Sequence, residues 1–179
     1  MTEKETRNII DHYHYWTHDA ILADLSSKAF PFSVLCSNLG QDFNLSTCLR
    51  NSQAFCATEF IIYGRKRYDR RGTVGAHNYT KIRFFAEADL DNLKDYLSSK
   101  LVIGIDNIPG SEPIDSYSWD YNKHTVLAFG QEQIGLPQEI INISSKILYI
   151  KQYGATRSLN VGTASGIAMY AYTSKMKVE

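Results

Sequence analysis

One glycine-containing segment of this sequence has residue types that could hold a ligand. Gly130–Pro137 joins an apolar stretch to a short helical pattern, and its glycines permit unusual backbone angles or the close approach of a ligand. A phosphate-binding loop needs Lys and Ser/Thr after its second glycine, but Leu136 and Pro137 stand there, and the sequence contains no GxGxxG. An ordinary strand-to-helix turn explains the segment equally well.

Two further segments carry polar residues at the starts of predicted helices. Ser158 opens the last helical pattern, where it is either a simple N-cap or a functional hydroxyl. Asn44 and Arg50 lie six residues apart on an earlier helix. An arginine on a half-buried helix is costly without an anionic partner. Arg50 is therefore expected either to form a structural ion pair or to bind a phosphate.

Composition limits what kind of protein this is. The chain has 179 residues, which is enough for one domain with a full hydrophobic core. Its 44% hydrophobic and 21% charged residues exclude a disordered tail and a membrane protein. Nineteen basic residues balance nineteen acidic ones, so bulk charge alone cannot hold nucleic acid, although a local basic patch can.

The cysteines and the first residues predict a cellular location. Cys36, Cys48 and Cys56 form no CxxC pair, which is typical of free thiols in a reducing compartment. The sequence begins without an apolar leader segment and contains no apolar run long enough to span a membrane. We therefore expect the protein in the cytoplasm.

Short apolar stretches alternate with helical patterns after residue 30, which predicts an α/β fold with a mostly parallel sheet flanked by helices. Ligands bind such sheets at the carboxyl ends of the strands, here the loops after Cys36, Ile105, Phe129 and Ile150. The predicted strands are Phe32–Cys36, Phe60–Tyr63, Lys81–Phe85, Leu101–Ile105, Thr125–Phe129 and Ile147–Ile150. The predicted helices are a broken one over Thr2–Lys28, then Asp42–Phe55, Asp89–Ser99, Pro137–Ile143 and Ser158–Lys175, with a loop over Asn107–Asn122.

A basic run, Arg65–Arg71, with interleaved tyrosines follows the second predicted strand. Five of its seven residues are cationic, and this pattern suits phosphate contacts with RNA. The alternative is a solvated surface loop. The candidate RNA-binding residues are Arg65, Lys66, Arg67, Arg70 and Arg71. Near the start of the chain, His14 and His18 have helical spacing but no third ligand, so we predict no metal site. We expect the aromatic segment around them to pack on the domain or to stack on RNA.

Together, the three polar segments resemble the three motifs of the SPOUT methyltransferases, in the SpoU/TrmH branch, which methylates ribose 2′-hydroxyls of tRNA or rRNA. Motif one is Asn44–Phe55, motif two is Leu127–Pro137, and motif three joins Ile147–Ile150 to Ser158–Val161. They occur in the family's order and spacing, over Phe32–Tyr172.

The first thirty residues lie outside the resemblance, so we predict an N-terminal helical extension over residues 1–30 and a SPOUT methyltransferase domain over 31–179. The sequence departs from the family pattern in three places. Ser46 stands where glycine is usual, Lys151 replaces a proline, and Gly162 replaces a common serine. These changes affect the shape of the cofactor loops rather than the polar positions.

The resemblance implies a C-terminal deep trefoil knot that binds S-adenosylmethionine, in a homodimer whose subunits both shape the site. By motif position, the cofactor would meet, largely through backbone atoms, Ile105, Phe129, Gly130, Ile150 and Leu159. The implied catalytic or substrate residues are Arg50, Asn44, Glu132, Ser158 and Asn160.

The implied reaction transfers a methyl group from a sulfonium to a ribose 2′-oxygen. Arg50 is often assigned as the base in this family, but a guanidinium stays protonated in proteins. We expect Arg50 instead to bind the adjacent phosphate and to stabilise the developing alkoxide.

The chain is compact like the tRNA members of the family, and this resemblance favours tRNA over rRNA as the substrate. Two alternatives remain open, namely a catalytically silent RNA-binding or scaffold protein on the same fold, and a methylase that acts on a base nitrogen.

Overall fold

A computed structural model of the chain describes residues 8–38, 43–131 and 134–176. Its centre is a seven-stranded, fully parallel sheet in the order β3-β2-β1-β6-β4-β7-β5. The strands are β1 (Phe30–Asn38), β2 (Ala57–Gly64), β3 (Ile82–Phe85), β4 (Leu101–Ile105), β5 (Glu112–Pro113), β6 (Thr125–Phe129) and β7 (Lys146–Tyr149). The predicted α/β class and parallel sheet are confirmed, and each predicted strand agrees within a few residues.

The middle of the sheet is apolar on both faces because helices cover both sides. All five residues of β6 are buried, and Phe129 pairs in register with Cys36 of β1 and with Ile105 of β4. The carboxyl ends of these three strands therefore lie level with one another. The loops that follow them meet at one edge of the sheet.

Six α-helices in the described residues flank this sheet. On one face, Leu49 and Met169 pack into one core cluster; on the other, Leu93 and Ile140 pack into a second. The helices are α1 (His18–Lys28), α2 (Phe43–Ala54), α3 (Arg70–Thr73), α4 (Leu90–Leu97), α5 (Gln138–Ile143) and α6 (Val161–Thr173). No helix in the described ranges is long and apolar enough to cross a lipid bilayer.

The structure corrects three sequence-based boundaries. The first predicted helix, over Thr2–Lys28, is shorter in the structure. Residues 1–7 lie outside the described part, and residues 8–17 contain only a short 3₁₀ turn. Helix α1 starts after Thr17, whose Oγ1 accepts a hydrogen bond from the Ala20 N–H. The last helix starts at Val161 because Asn160, rather than Ser158, is its N-cap. The loop predicted over Asn107–Asn122 contains β5 and a 3₁₀ turn. Asp42, the predicted start of the second helix, is also outside the described residues.

The C-terminal helix lies between the sheet and the segment that joins β4 to β6. The ring of Tyr172 on α6 packs 5.0 Å from Phe32 of β1 on one side and 5.1 Å from Trp119 of the joining segment on the other. The hydroxyl of Tyr121 donates to the Tyr172 carbonyl oxygen at 2.8 Å, and Lys175 Nζ donates to the Asp115 carbonyl oxygen at 2.7 Å. The C-terminal half of α6 is therefore held between β1 and the joining segment.

The N-terminal segment packs on the domain, which was one of the two expectations for it. Tyr13 and Ile21 form a small buried cluster with Tyr79, which belongs to the segment before β3. The Tyr13 hydroxyl donates a hydrogen bond to Asp24, which also pairs with Lys28 at 2.6 Å. These contacts anchor α1 to the α2 side of the molecule.

Candidate functional site

A cavity of about 480 Å³ lies at the edge where the loops after β4, β6 and β7 meet the start of α6. It brings together Ser158 and four of the five predicted cofactor residues, namely Ile105, Gly130, Ile150 and Leu159. The fifth, Phe129, is only 1% exposed and belongs to the core directly before Gly130. Three widely separated parts of the sequence thus form one site.

The loop after β6 depends on its two glycines. The Gln131 N–H donates to the Gly135 carbonyl oxygen at 3.0 Å, and the Gly135 N–H donates to the Gln131 carbonyl oxygen at 2.8 Å. A Cβ on Gly130 would lie 1.9 Å from the carbonyl carbon of Gly135, and Gly135 has a φ of +70°. Any larger residue at position 130 would force this loop open. Glu132, the predicted catalytic carboxylate, lies outside the described residues.

Asp106 fixes this loop to the end of β4, and the sequence reasoning missed it. Its Oδ2 accepts a hydrogen bond from the Leu136 N–H at 2.7 Å, and its Oδ1 accepts one from the Asn107 N–H at 2.7 Å. Hydrogen bonds to an ionised carboxylate are stronger than neutral ones. The sequence did contain a signal for Asp106, because this residue directly follows an apolar predicted strand, at the end where ligands bind to such sheets.

The cavity also contains polar side chains that are not among the predicted site residues. Gln131 Nε2 and Gln152 Oε1 are buried and have no hydrogen-bond partner among the described residues, although both residues line the cavity. A buried unpaired donor or acceptor costs about 1–3 kcal/mol, so both amides gain from a polar ligand. Arg157 adds an exposed cation to the lining.

Motifs one and three meet through a pair of asparagines. Asn160 Nδ2 donates to Asn44 Oδ1 at 2.8 Å, while Asn160 Oδ1 accepts hydrogen bonds from the N–H groups of Gly162 at 2.9 Å and Thr163 at 3.3 Å. The residues on either side of Asn160, Leu159 and Val161, line the cavity. The two asparagines therefore position the cavity wall without lining it themselves.

Close packing of α2 against α6 supports this junction. Asn51 Nδ2 donates to the Gly162 carbonyl oxygen at 2.8 Å and to Ser165 Oγ at 3.0 Å. A Cβ on Gly162 would lie 2.7 Å from Thr47 Cγ2. The glycine that replaces the family's common serine thus allows the two helices to approach closely.

Arg50 does not line this cavity at the ends of β4, β6 and β7. It lies six residues after Asn44 on α2, which is about 9 Å farther along the helix axis, and it lines a separate cavity against the N-terminal segment. The side chain of Arg50 is exposed, so the expectation that it needs an anionic partner to offset burial is wrong. None of the ion pairs found among the described residues involves Arg50.

The basic run forms an exposed loop and the short helix α3. Asn38 Nδ2 donates to the carbonyl oxygens of Arg65 and Arg67, at 2.6 and 2.7 Å, and so fixes the loop to the end of β1. Arg71 pairs with Asp69 at 2.9 Å, and this contact lowers the pKa of the Asp69 carboxyl. Arg71 is thus partly neutralised within the chain. All five predicted RNA-binding residues are exposed, namely Arg65, Lys66, Arg67, Arg70 and Arg71.

A metal centre has no support in the described part of the chain. No group of three or more His, Cys, Asp or Glu side chains there could hold a metal ion. His14 instead lies 3.7 Å from Asp11, and the ring of His18 packs 5.4 Å from that of Tyr79.

Comparison with known proteins gives a consistent family match. Residues 31–170 match the SpoU rRNA Methylase family. The chain is 29% identical over 143 residues to a tRNA (guanosine(18)-2′-O)-methyltransferase of Aquifex aeolicus, covering 76% of this chain and 66% of that enzyme. The enzyme with the same name in Escherichia coli is 33% identical over 57 residues, which are 32% of this chain and 25% of the relative. The matches thus span less than two thirds of either relative.

Solved structures agree with the sequence comparison. The crystal structure of an A. aeolicus TrmH/SpoU tRNA modifying enzyme superposes with a TM-score of 0.73 at 25% identity, covering 88% of this chain and 83% of that one. An AdoMet-bound rRNA methyltransferase from Sinorhizobium meliloti gives a TM-score of 0.71 at 24% identity, covering 86% and 61%. The second match, at lower identity, bears on the fold alone.

Proposed function

Because this chain belongs to the SpoU rRNA methylase family, we propose that it is an S-adenosylmethionine-dependent methyltransferase acting on a ribose 2′-hydroxyl of tRNA. The observation that carries the proposal is the convergence of the three motifs. Loops after β4, β6 and β7 enclose one cavity, and Asn160 joins its wall to Asn44. The tRNA methyltransferases among its relatives support tRNA rather than rRNA as the substrate.

The residues of the cavity fit this cofactor. Its volume of about 480 Å³ suits a ligand of that size, and its lining combines apolar side chains with a few polar groups. The unpaired amide atoms of Gln131 and Gln152 offer a donor and an acceptor, and Arg157 offers a cation for a carboxylate. When bound, S-adenosylmethionine supplies an electrophilic methyl group on a sulfonium.

The protein's own contribution is mainly positioning. Holding two reactants in near-attack geometry supplies much of the rate of such a transfer. A guanidinium carries its charge throughout the physiological range, and Arg50 lies outside the cofactor cavity, so its role is to bind a substrate phosphate rather than to act on the attacking oxygen. Ser158 contributes an exposed hydroxyl to the cavity wall, and Asn160 and Asn44 hold the start of α6. Glu132, which lies outside the described residues, stays a proposed catalytic carboxylate.

The packing of α6 supports two further parts of the proposal. Because α6 is enclosed between β1 and the segment before β6, the path of the chain favours a C-terminal trefoil knot. Ile167 and Tyr170 on α6 are 38% and 64% exposed, which favours a homodimer that covers them with a second copy.

Two further parts of the proposal concern domain organisation and location. We propose an N-terminal extension that ends near residue 30, followed by the methyltransferase domain. We also propose that the protein acts in the cytoplasm.

Incubation of the full chain with labelled S-adenosylmethionine and unfractionated tRNA or rRNA, followed by nucleoside analysis, tests the proposal. A ribose-methylated nucleoside from tRNA is the expected product. A base-methylated nucleoside would instead indicate a base-nitrogen methylase. RNA binding without cofactor binding in calorimetry would indicate a catalytically silent protein on the same fold.

A further inference from the structure

A second cavity, of about 460 Å³, lies between the N-terminal segment and α2. One wall comes from residues that precede the family-matched region 31–170, so this chain's own N-terminal segment creates the cavity. The lining residues of that wall are mainly apolar: Ile9, Ile10, Tyr13, Ile21 and Leu25.

The opposite walls combine an aromatic ring with polar side chains. Tyr79 lies before β3 and is largely buried, whereas Arg50 and Gln53 reach the cavity from α2. A nucleobase has two apolar faces and a hydrogen-bonding edge, and proteins bind unpaired bases by stacking and by contacts to that edge. The apolar wall, the tyrosines and the Gln53 amide match these requirements.

The backbone around this cavity is strained at two places. Cys56 has a φ of 51° and Val74 a φ of 48°, and they are the positive-φ residues other than glycine within the described ranges. Both line this cavity. A β-branched residue rarely adopts this conformation, and such strain is found preferentially at ligand sites.

The charge next to the cavity favours a nucleotide over an uncharged apolar ligand. Arg50 lies in the lining, and α3, which carries Arg70, ends at the lining residue Thr73, directly before the lining residue Val74. Burial and then the charge of Arg70 lower the pKa of His77, which follows the lining residue Ala76. Cations at this position can bind the phosphates on either side of a base.

We propose that this second cavity binds an unpaired nucleobase of the RNA substrate, with the flanking phosphates against Arg50 and Arg70. The inference rests on the proposed function for the identity of the RNA. It assigns the N-terminal segment a role in substrate recognition, because the segment supplies the apolar wall on which the base packs. It also accounts for the position of Arg50, which faces this cavity rather than the cofactor cavity.

A cavity-filling substitution tests the proposal. Ala76→Trp places a large ring in the half-buried lining, whereas Ala23→Trp makes the same change on the exposed side of α1. We expect Ala76→Trp to weaken binding of unfractionated tRNA about tenfold or more, because stacking of a base is lost. Ala23→Trp should leave RNA binding unchanged, and both variants should keep the wild-type affinity for S-adenosylmethionine. Wild-type tRNA affinity in a folded Ala76→Trp protein would overturn the proposal.

A measurement on the unaltered chain decides the question even if Ala76→Trp does not fold. With isotope-labelled isoleucine methyl groups, GMP, AMP, CMP and UMP should shift the NMR signals of Ile9, Ile10 and Ile21, but not that of the buried core residue Ile103. No shift with any nucleotide at about 10 mM would remove the nucleobase assignment. NMR shifts in a protein that shows no methyl transfer in the labelled-cofactor assay would support this site and contradict the proposed enzymatic function. Methyl transfer without NMR shifts would support the enzymatic function and contradict this site.

Discussion

The side chain of Asn160 joins two motifs that are 116 residues apart, because its Nδ2 donates to Asn44 Oδ1 at 2.8 Å. The Oδ1 of the same amide caps α6 through the N–H groups of Gly162 and Thr163. One asparagine thus fixes both the start of the last helix and its position against α2.

These two roles of Asn160 can be separated by substitution. Asn160→Ala removes the cap and the link, and should lower the free energy of unfolding by about 1 kcal/mol. Asn160→Ser keeps a capping oxygen but is too short to reach Asn44, so it should retain stability. We expect methyl transfer to fall about tenfold or more in both variants, measured with labelled cofactor. Full activity in Asn160→Ser would mean that the residue acts only as a cap.

Gly130 and Gly154 give a matched pair in the loops at the cofactor cavity. A Cβ on Gly130 would overlap the backbone of Gly135, whereas a Cβ on Gly154 meets nothing within 4 Å. Gly130→Ala should therefore abolish calorimetric binding of S-adenosylmethionine, and Gly154→Ala should leave it unchanged. Equal affinities in the two variants would contradict the position assigned to this loop.

Removal of the Asp106 carboxylate should weaken cofactor binding without unfolding the protein. Asp106→Ala removes the acceptor for the Leu136 N–H, and a hydrogen bond to a charged group contributes about 1.5–3 kcal/mol. We expect a loss of affinity of about tenfold or more in calorimetry. Asp91→Ala on α4, which removes an exposed carboxylate that pairs with Lys94, is the control. An unchanged affinity in Asp106→Ala would show that the loop holds its shape without this anchor.

The basic run should determine how RNA binding depends on salt. Substitution of Arg65, Lys66 and Arg70 by Gln should reduce the slope of log K against log salt concentration by about 2 to 3. Arg71→Gln should change the slope less, because Asp69 already pairs with this arginine. Lys123→Gln, outside the run, serves as the control. A slope unchanged by the triple substitution would exclude the run from the RNA interface.

Tyr172 predicts how stability changes at alkaline pH. Burial raises the pKa of its hydroxyl to about 12, whereas the unfolded chain ionises near the ordinary value of 10. Stability is therefore constant below pH 10 and falls as the pH rises from 10 to 12, by up to about 2 to 3 kcal/mol. Tyr172→Phe should flatten this decline in denaturant titrations. A decline as steep as in the wild type would assign it to other groups, such as Tyr63, whose pKa is also raised to about 12.

Much of the fold was predictable because six of the seven described strands carry their own pattern. A run such as Thr125–Phe129 is continuously apolar, and such runs occur where a strand is covered on both faces. The edge strand β5 was missed because its two residues, Glu112 and Pro113, have no such pattern. The start of α6 was placed too early because Ser158 and Asn160 are both good caps, and it is Asn160 whose Oδ1 accepts the capping hydrogen bonds of Gly162 and Thr163.

The candidate site was only partly predictable because several of its contacts join distant residues. Motif order predicted Ile105, Gly130, Ile150 and Leu159 as cofactor residues, and all four line one cavity. The separate position of Arg50 was not predictable, since spacing along a helix does not reveal what packs beside it. The wall opposite Arg50 comes from the N-terminal segment, which no motif covers.

The enclosure of α6 also determines when this protein becomes able to act. Ribosomes synthesise the chain from its amino end, so the five inner strands and α2 emerge before the residues that close the cofactor cavity. Ser158 and Leu159, and the α6 residues Val161 and Ala164, form part of that cavity wall. A nascent chain that stops before them contains all seven described strands but has no closed site for the proposed methyl donor. We therefore expect cofactor binding only after the last step of folding, in which α6 packs against Trp119 and Tyr121.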